Sequence, residues 1–366
     1  MYVRVYQPMM DASNNSVSGF VCSAPGADFD PDPEDAGGVY AIAVEPDGVH
    51  GRTKLPCDSP MYVKIHPSGH FVYVTHAVDG GAISSYRVDG ADIEKLNEQP
   101  TGGDVPLYIS IDATLNYLFV ANYDGRTISV LPIEDDGRLG SDVQTIEHEG
   151  ETADPDGQPR PHSIEPGPNN EFVYVPDLGL DRIVGYQFDA DTGLLEPDED
   201  LSVDVPDGVG PRHLEFHPNE RYLYVMTEFD ATLMSFEHDA ETGELTHLET
   251  VPTMPDGFTG TEWGGDVHVH PSGEWVFVTN RAHGSVARYE IDPETGRLHG
   301  LANEMNVDCP RHITTDPSGE RVLVANQGGD SVAGFAFDQN SGELTLLDRD
   351  ISIPEPVCVE LFDEYA

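Results

Sequence analysis

Lysine is almost absent from this chain of 366 residues, which contains only Lys54, Lys64 and Lys95; its other basic residues are arginines. Aspartate and glutamate together number 67 against 18 basic residues, which gives a formal net charge of −49. A surface this acidic repels the phosphates of nucleic acids and of anionic membranes. The composition therefore argues against a protein that binds nucleic acid or a membrane surface.

The acidic excess does not indicate a disordered chain, because disorder requires a scarcity of aromatic and β-branched residues. Tyrosine and phenylalanine number 15 and 14 and are spread along the chain within valine- and isoleucine-rich runs. A folded, lysine-poor protein with a dense carboxylate coat is typical of a halophile, whose molar salt shortens the Debye length to about 3 Å. The alternative is a bound hard cation, for which the acidic segment 28–35 is the candidate.

Long apolar runs are also missing, because no stretch of 18 apolar residues occurs and residues 1–6 lack the features of a signal peptide. These absences predict a cytoplasmic protein without a transmembrane helix. The four cysteines, Cys22, Cys57, Cys309 and Cys358, show no C-x-x-C spacing. We therefore expect free thiols rather than a zinc site or a redox motif.

A repeat of about fifty residues runs through the chain. Its clearest copies are 60–76 (PMYVKIHPSGHFVYVTH), 211–227 (PRHLEFHPNERYLYVMT) and 310–326 (PRHITTDPSGERVLVAN). Weaker copies and a final half-copy start at Pro106, Pro161, Gly264 and Pro356. Successive starts lie 46 to 55 residues apart, a period that is typical of propeller blades.

Each copy predicts four antiparallel strands. An alternating run, a Pro-Ser-Gly type turn and a second alternating run come first, and a third strand and a closing turn follow. The closing turn reads Asp-x-x-x-Gly-x-Leu at 189–195, 239–245, 292–298 and 338–344. Its glycine suits the positive φ that a tight turn needs.

Seven starts predict an all-β, seven-bladed propeller that occupies residues 1–366 as one domain. The seventh start lies so close to the C-terminus that it supplies a single strand. We expect residues 1–50 to complete that blade, with segment 38–44 as its third strand, so that both chain ends close the ring. An open β-solenoid explains the divided last unit poorly.

A propeller of this kind predicts where a ligand binds. The first strand of each blade lines the central channel and the second returns, so the start of one and the end of the other share a face of the ring. The polar residues at strand-one starts are His162, Arg212, His213, Arg311 and His312. Those at strand-two ends are His76, Asn122, Asp177, Glu228, Asn280, Arg281 and Asn326. Together they predict a funnel that is suited to a small ligand.

A purely structural role is the alternative for any one of these residues. Pro-Arg-His occurs twice and can serve the repeat, and a polar residue after the second strand can cap a turn. Glu228 and Arg281 depart from the repeat at their positions. Two arginines in the funnel of so acidic a protein indicate an anionic ligand or a developing negative charge.

Several stretches resemble a known family: 120–130 (VANYDGRTISV), 174–182 (YVPDLGLDR), 210–218 (GPRHLEFHP), 279–285 (TNRAHGS) and 356–359 (PVCV). In this order and spacing they are similar to the propeller-type lactonases, over roughly residues 37 to 362. That family contains bacterial 6-phosphogluconolactonases and fungal carboxymuconate-lactonizing enzymes. The resemblance implies a catalytic set of His162, Arg212, Glu228 and Arg281.

Two departures from the family pattern stand out. Arg160 occupies the place of the first histidine in the family's Pro-His-x-His-Ser segment. The family's N-terminal strand corresponds to segment 2–6 (YVRVY), which precedes an insertion up to about residue 36. The first departure bears on the substrate and the second only on closure of the last blade.

The resemblance implies hydrolysis of a sugar lactone, most directly of 6-phosphogluconolactone, without a metal or other cofactor. Glu228 or His162 is expected to be the general base, with Arg212 and Arg281 holding the oxyanion or an anionic substituent. The expected substrate-binding residues are Arg160, His213, Asn280, Arg311, His312 and Asn326. The expected partner is a small anionic lactone, and the protein is expected to be a monomer or a weak homo-oligomer.

Three alternatives remain at this point. The same residues suit lactonization or cycloisomerization of a carboxylated muconate. A propeller that binds a protein partner without catalysis is another, although no Trp-Asp blade signature occurs. A calcium-dependent sugar lactonase is the third, with Glu228, Asp177 and Asn122 as the ligands.

Overall fold

The structure is a computed structural model that describes residues 3–4, 17–26, 37–90, 92–152, 157–348 and 350–362. Seven antiparallel sheets follow one another along the chain. First strands of successive blades contact one another or the adjacent second strand, and the first strand of blade 7 contacts that of blade 1, which closes the ring. The predicted seven-bladed propeller with four antiparallel strands per blade is confirmed.

Blades 1 to 4 follow the repeat in order. Blade 1 contains Pro60–Ile65, Phe71–His76, Ala82–Asp89 and Asp92–Pro100. Blade 2 contains Pro106–Ile111, Tyr117–Asn122, Thr127–Pro132 and Gln144–Glu147. Blade 3 contains Glu165–Pro166, Phe172–Asp177, Arg182–Asp189 and Leu194–Pro197, with Val203–Asp204 added beside its third strand. Blade 4 contains Pro211–Phe216, Tyr222–Thr227, Thr232–His238 and Leu245–Pro252.

Blades 5 to 7 complete the ring. Blade 5 contains Gly264–Val269, Trp275–Asn280, Ser285–Ile291 and Leu298–Glu304. Blade 6 contains Pro310–Thr315, Arg321–Asn326, Ser331–Asp338 and Glu343–Leu346, with Ile351–Ser352 added beside its third strand. Blade 7 contains Pro356–Phe362, Val17–Ser23, Gly38–Glu45 and Gly48–Leu55. The described residues include one short 3-10 helix, Glu199–Leu201, and no helix there is long and apolar enough to cross a membrane.

First strands begin at the predicted residue in every blade except blade 3. There Pro161 makes only an isolated bridge with Asp177, and the regular strand starts at Glu165. Pro159 and Pro161 carry no N–H to donate to a ladder, which explains the interruption. The segment that carries His162 is therefore a loop rather than a strand.

The closing blade differs from the sequence prediction in one respect. Its third strand, Gly38–Glu45, is as predicted, but its second strand is Val17–Ser23 and not segment 2–6. Within that segment the described residues, Val3–Arg4, instead pair with the outer strand of blade 1. Val17–Ser23 pairs along its length with Pro356–Phe362, and a Cβ on Gly19 would lie 2.5 Å from the carbonyl oxygen of Glu360.

The repeated Asp-x-x-x-Gly turns pack one blade against the next. Gly296 of blade 5 has φ +67°, and a Cβ there would lie 2.4 Å from the ring of Tyr222 in blade 4. The Tyr222 hydroxyl donates to the Glu294 carbonyl in the same turn, at 2.6 Å. Glycine is needed both for the left-handed backbone and for the close approach of the ring. The four cysteines are free, as expected.

Candidate active site

Two arginines of the predicted funnel, Arg212 and Arg311, each occupy a β-bulge at the start of a first strand. In blade 4 the register shifts within the Pro-Arg-His segment and leaves Arg212 without a partner residue on the second strand. Blade 6 repeats the arrangement with Arg311 as the extra residue. A bulge redirects the side chain that it carries. The repeated segment therefore serves both the blade and the funnel, and the two roles that the sequence left open are not exclusive.

A cavity of about 400 Å³ opens at this end of the channel, and all seven blades contribute to its lining. Blades 3 to 6 supply a charged side that consists of His162, Glu228, Trp263, Arg281 and Arg311. The opposite side, from blades 7, 1 and 2, is largely apolar and includes Met61, Ala77, Val105 and Leu107. A cavity with this division can hold the carbon ring of a small ligand on one side and its charged groups on the other.

Glu228 is the centre of the charged side. Its Oε2 accepts a hydrogen bond from Arg212 Nε at 2.9 Å and lies 2.7 Å from Arg281 Nη2. Its Oε1 accepts from Trp263 Nε1 at 3.3 Å. Glu228 follows the second strand of blade 4, and its backbone N–H donates to the Gly210 carbonyl just before the first strand. Both carboxylate oxygens are thus engaged by donors.

Arg281 is held between the carboxylate and an indole. Its guanidinium lies 3.7 Å from the ring centroid of Trp263, and its Nε donates to the Gly264 carbonyl at 2.8 Å. Its backbone N–H donates to the Trp263 carbonyl at 2.8 Å. Stacking on the indole and the fixed backbone contacts orient the guanidinium plane toward Glu228.

The guanidinium groups near Glu228 determine its charge state. Burial alone would raise the pKa of Glu228, but Arg281 and Arg212 together hold it below its usual value, so the carboxylate is ionised at neutral pH. Burial and the nearby Arg281 lower the pKa of Arg212 to about 9, so its guanidinium is still charged. Arg281, Arg212 and Arg311 therefore all favour the charged form of Glu228, in a protein whose net charge is −49.

His162 adjoins the carboxylate from blade 3. Its Nε2 lies 3.9 Å from Glu228 Oε2, and its Nδ1 has no hydrogen-bond partner among the described residues. Burial lowers the pKa of His162 well below its usual value, and the positive charge of Arg212 lowers it further. The imidazole is therefore neutral at pH 7 and carries a lone pair.

The middle of the channel is filled by aromatic and histidine side chains. The rings of Tyr62 and Tyr108 lie 4.5 Å apart, and each contacts a histidine: His312 for Tyr62 and His213 for Tyr108. His213 and His312 both face Asp266, at 2.7 Å and 3.6 Å. The two histidines, predicted to bind substrate, therefore lie beneath the cavity at the arginine end and not in its lining.

The far end of the channel carries the opposite charge. A second cavity of about 380 Å³ opens there, and Glu165, Glu215 and Glu360 line it. Each carboxylate has a partner: Tyr108 for Glu165 at 2.5 Å, His268 for Glu215 at 3.2 Å and Lys64 for Glu360 at 2.8 Å. Burial raises the pKa of Glu165 to about 7. An anionic ligand is therefore favoured only at the arginine end of the channel.

Two predicted substrate-binding residues have structural roles instead. Asn280 donates to the Thr253 carbonyl at 3.0 Å and to Ser285 Oγ at 3.1 Å. Asn326 donates to Ser331 Oγ at 3.4 Å in the corresponding turn of blade 6. Neither lines the cavity, because the end of the second strand turns these side chains toward the third strand of their own blade.

Arg160 lies at the rim rather than in the lining. Its guanidinium stacks over Tyr123 at 4.6 Å from the ring centroid, and its Nη1 contacts Asp124 Oδ1 at 2.6 Å. Both of those neighbours line the cavity. The replacement of the family's histidine by Arg160 therefore adds a positive charge at the mouth of the funnel, next to Asp124.

The suggested calcium ligands are not arranged as a metal site. Asp177 accepts from His148 at 2.7 Å and from the backbone N–H groups of residues 160, 179 and 180. Asn122 donates to the Thr101 carbonyl within its own blade. The acidic segment 28–35 lies outside the described residues. Among the described residues, three groups that could hold a cation, Glu45, Asp47 and His50, meet on the outer hairpin of blade 7.

Trp263, Tyr123 and Asp266 were missed by reasoning from the sequence. Trp263 immediately precedes a first strand and Tyr123 immediately follows a second strand, so the positional rule that found the others also selects them. Both are aromatic, and the rule selects them only when it is not limited to polar residues. Asp266 is the third residue of its strand, and a bulge between Gly264 and Val267 turns it toward the channel.

Comparison with known proteins agrees with this geometry. The sequence profile described as Lactonase, 7-bladed beta-propeller matches residues 31–361. A 6-phosphogluconolactonase of Bacillus subtilis (strain 168) is 32% identical over 84% of this chain and 88% of its own length. One of Pectobacterium carotovorum is 31% identical over 69% of this chain and 73% of its own length.

Solved structures give the same result. The periplasmic gluconolactonase of Pseudomonas aeruginosa superposes with a TM-score of 0.88 at 27% identity, over 95% of this chain and 99% of that one. A protein from Lactobacillus plantarum superposes with a TM-score of 0.86 at 26% identity, over 95% of this chain and all of that one.

Proposed function

This chain belongs to the lactonase family of seven-bladed β-propellers and is a lactonase, and we propose that it hydrolyses 6-phosphogluconolactone at the arginine end of its channel. The single observation that carries the substrate is the group of Arg212, Arg281 and Arg311 around Glu228, with Arg281 and Arg311 in the cavity lining. A phosphate dianion gains charge-assisted hydrogen bonds from guanidiniums placed in this way. An uncharged sugar lactone does not.

The proposed reaction uses two residues that line the cavity, His162 and Arg281, and Arg212, which contacts the lining residue Glu228. His162, neutral at pH 7, takes a proton from water as the water oxygen attacks the lactone carbonyl. A guanidinium from Arg212 or Arg281 stabilises the oxyanion. The ring C–O bond then breaks, and the ring oxygen takes the proton back from the imidazolium, which yields the open hydroxy acid.

Glu228 has a supporting part in this proposal. Both of its oxygens accept from donors, which makes it a weaker base than its position in the cavity suggests. Its charge holds the two arginines in place, and at 3.9 Å it favours the imidazolium form of His162 that exists during the reaction. The sequence left Glu228 and His162 as candidates for the general base, and we propose His162.

A lactone assay in molar salt tests this proposal. We expect hydrolysis of 6-phosphogluconolactone well above the spontaneous rate, a kcat/KM at least tenfold lower for the unphosphorylated gluconolactone, and no loss of rate with EDTA. The guanidiniums supply the electrostatic stabilisation that a metal gives in other lactonases, so EDTA should leave the rate of hydrolysis unchanged. Equal rates on both lactones would contradict the role of the arginines, and loss of activity in EDTA would contradict the metal-free mechanism.

We also propose that the protein works in a salt-rich cytoplasm, on the support of its charge of −49, its three lysines and its free cysteines. Repulsion among 67 carboxylates destabilises the compact state until salt screens it. We expect Tm to rise by at least about 10 °C between 0.1 M and 2 M KCl. Sucrose at equal osmolality is the control, because it screens no charge, and an equal rise in sucrose would contradict the proposal.

A further inference from the structure

Arg212 makes three hydrogen bonds that leave one nitrogen for a substrate. Nε donates to Glu228 Oε2 at 2.9 Å, and Nη1 donates to the Gly265 carbonyl at 2.8 Å and to His213 Nε2 at 3.2 Å. Within the described part of the chain, Nη2 has no hydrogen-bond partner, although the side chain is only 2% exposed. A planar guanidinium held on two sides presents its remaining N–H groups in a fixed direction.

His213 can accept from Arg212 in only one tautomer. Arg212 Nη1 is always a donor, so the Nε2 that faces it must carry a lone pair. Nδ1 then carries the proton, and it lies 2.7 Å from Asp266 Oδ1, which accepts it. Burial, with the charge of Arg212, lowers the pKa of His213 to about 3, so the imidazole is neutral at pH 7.

Asp266 is itself fixed by three blades. Its Oδ2 accepts from the Ile313 backbone N–H at 3.0 Å in blade 6, and its own N–H donates to Thr279 Oγ1 at 2.7 Å in blade 5. Its Oδ1 faces His213 in blade 4. Burial would raise the pKa of Asp266, but His312 and His213 hold it below its usual value, so the carboxylate is ionised.

We propose that Asp266 is a positioning residue of the lactonase site: it holds His213 in the Nδ1–H tautomer, and His213 holds Arg212 with Nη2 toward the substrate. This inference rests on the proposed hydrolysis, because it assigns Nη2 to the carbonyl oxygen that becomes the oxyanion. Asp266 touches neither the substrate nor the cavity at the arginine end. Nothing in the Pro-Arg-His repeat points to it, because it lies in a different blade.

Asparagine at position 266 creates a conflict that aspartate avoids. If the amide oxygen accepts from Ile313, the amide NH₂ faces His213 Nδ1 and forces the proton onto Nε2, opposite an N–H of Arg212. If the amide is turned over, the NH₂ meets the N–H of Ile313 instead. Either orientation leaves two donors facing each other in a buried place.

The kinetic test compares Asp266→Asn in two backgrounds. In the otherwise unchanged enzyme, we expect kcat to fall at least tenfold and KM to change less than threefold, because a contact made only in the transition state is lost. His213→Gln offers an amide oxygen to Arg212 without needing Asp266, so in that background Asp266→Asn should cost less than twofold. An equal loss in both backgrounds would show that Asp266 acts through folding alone and overturn the proposal.

The tautomer itself gives a readout that needs no substrate. Nitrogen NMR of histidine-labelled protein should show His213 with its proton on Nδ1, and Asp266→Asn should move the proton to Nε2. The His213→Gln spectrum identifies the signal by its disappearance. If His213 keeps its tautomer in Asp266→Asn while kcat still falls at least tenfold, the positioning role is wrong, whatever lactone the enzyme hydrolyses. If the tautomer changes but no lactone is hydrolysed by the unchanged enzyme, the positioning holds and the proposed function fails.

A second pair of variants covers the case in which Asp266→Asn does not fold. His213→Leu cannot accept a hydrogen bond, whereas His213→Gln can, and both leave Asp266 intact. We expect His213→Leu to lose at least tenfold in kcat and His213→Gln to retain about a third of it, at Tm values within a few degrees of each other. Equal activities in the two variants would contradict the proposal, because only the acceptor distinguishes them.

Discussion

Replacing His162 with asparagine is expected to lower kcat for 6-phosphogluconolactone about 1,000-fold, the usual scale for loss of a general base. The imidazole of His162 lies beside Glu228 and is neutral. Among the described residues that line the cavity, it alone offers a basic nitrogen without a hydrogen bond. Asparagine keeps a polar side chain of smaller size but cannot take a proton. Titration of the released acid, corrected for spontaneous opening of the lactone, measures the effect.

His76→Asn is the matched control. His76 has the same exposed fraction as His162, 4%, and also lies at the strand ends of its blade, but its nitrogens contact the Asp58 carbonyl and Ser84 Oγ. Its replacement should lower Tm and leave kcat within threefold. If His162→Asn also kept kcat within threefold, the general base would have to be Glu228.

The pH dependence follows from the charges around His162. Activity requires the neutral imidazole and is lost as pH falls through its pKa, which burial and the arginines hold well below the usual value. The acid limb of kcat/KM, which reports the free enzyme, should therefore lie well below pH 6.5. A bound phosphate dianion neutralises the arginines and raises this pKa, so the limb of kcat should lie at higher pH than that of kcat/KM. Coincident limbs would contradict a phosphate placed beside the arginines.

The fold could be predicted from the sequence because each blade is local. Four strands joined by short turns recur at nearly constant spacing, and in five of the seven blades a repeated proline marks the start of the strand beside the axis. The prediction that segment 2–6 is a strand of the closing blade was wrong because pairing in that blade is not local. Val17–Ser23 pairs with a strand more than 300 residues away, and no spacing rule fixes which N-terminal run pairs with that strand.

The site could be predicted only as a list of positions. Position along the repeat placed His162, Glu228, Arg281 and Arg311 in one cavity, but the direction of each side chain depends on bulges that the sequence does not mark. Asn280 and Asn326 occupy equally favourable positions and turn toward their own blades. The contact between Asp266 and His213 connects blades 5 and 4. The two residues meet only when the ring is assembled.

Glu228→Gln is expected to lower kcat at least 100-fold and to reduce the free energy of unfolding by about 3 kcal/mol, because removing one partner leaves buried charges unpaired. Arg212 and Arg281 lose the negative charge that they share, and the imidazolium of His162 loses its nearest carboxylate. Steady-state kinetics and thermal unfolding in the same salt measure the two effects. Glu215→Gln is the control, because Glu215 lies in the same blade at the acidic end of the channel, where it pairs with His268.

Inorganic phosphate separates the electrostatic account from simple destabilisation. Three guanidiniums without Glu228 form a stronger anion site, so phosphate at constant chloride should raise the Tm of Glu228→Gln more than that of the unchanged protein. Glu215→Gln should respond as the unchanged protein does. Equal shifts in all three proteins would mean that the arginines do not hold the phosphate, and would place the substrate's charge elsewhere. A larger shift in Glu228→Gln shows that the arginines bind phosphate and that the charge of Glu228 weakens this binding in the unchanged protein.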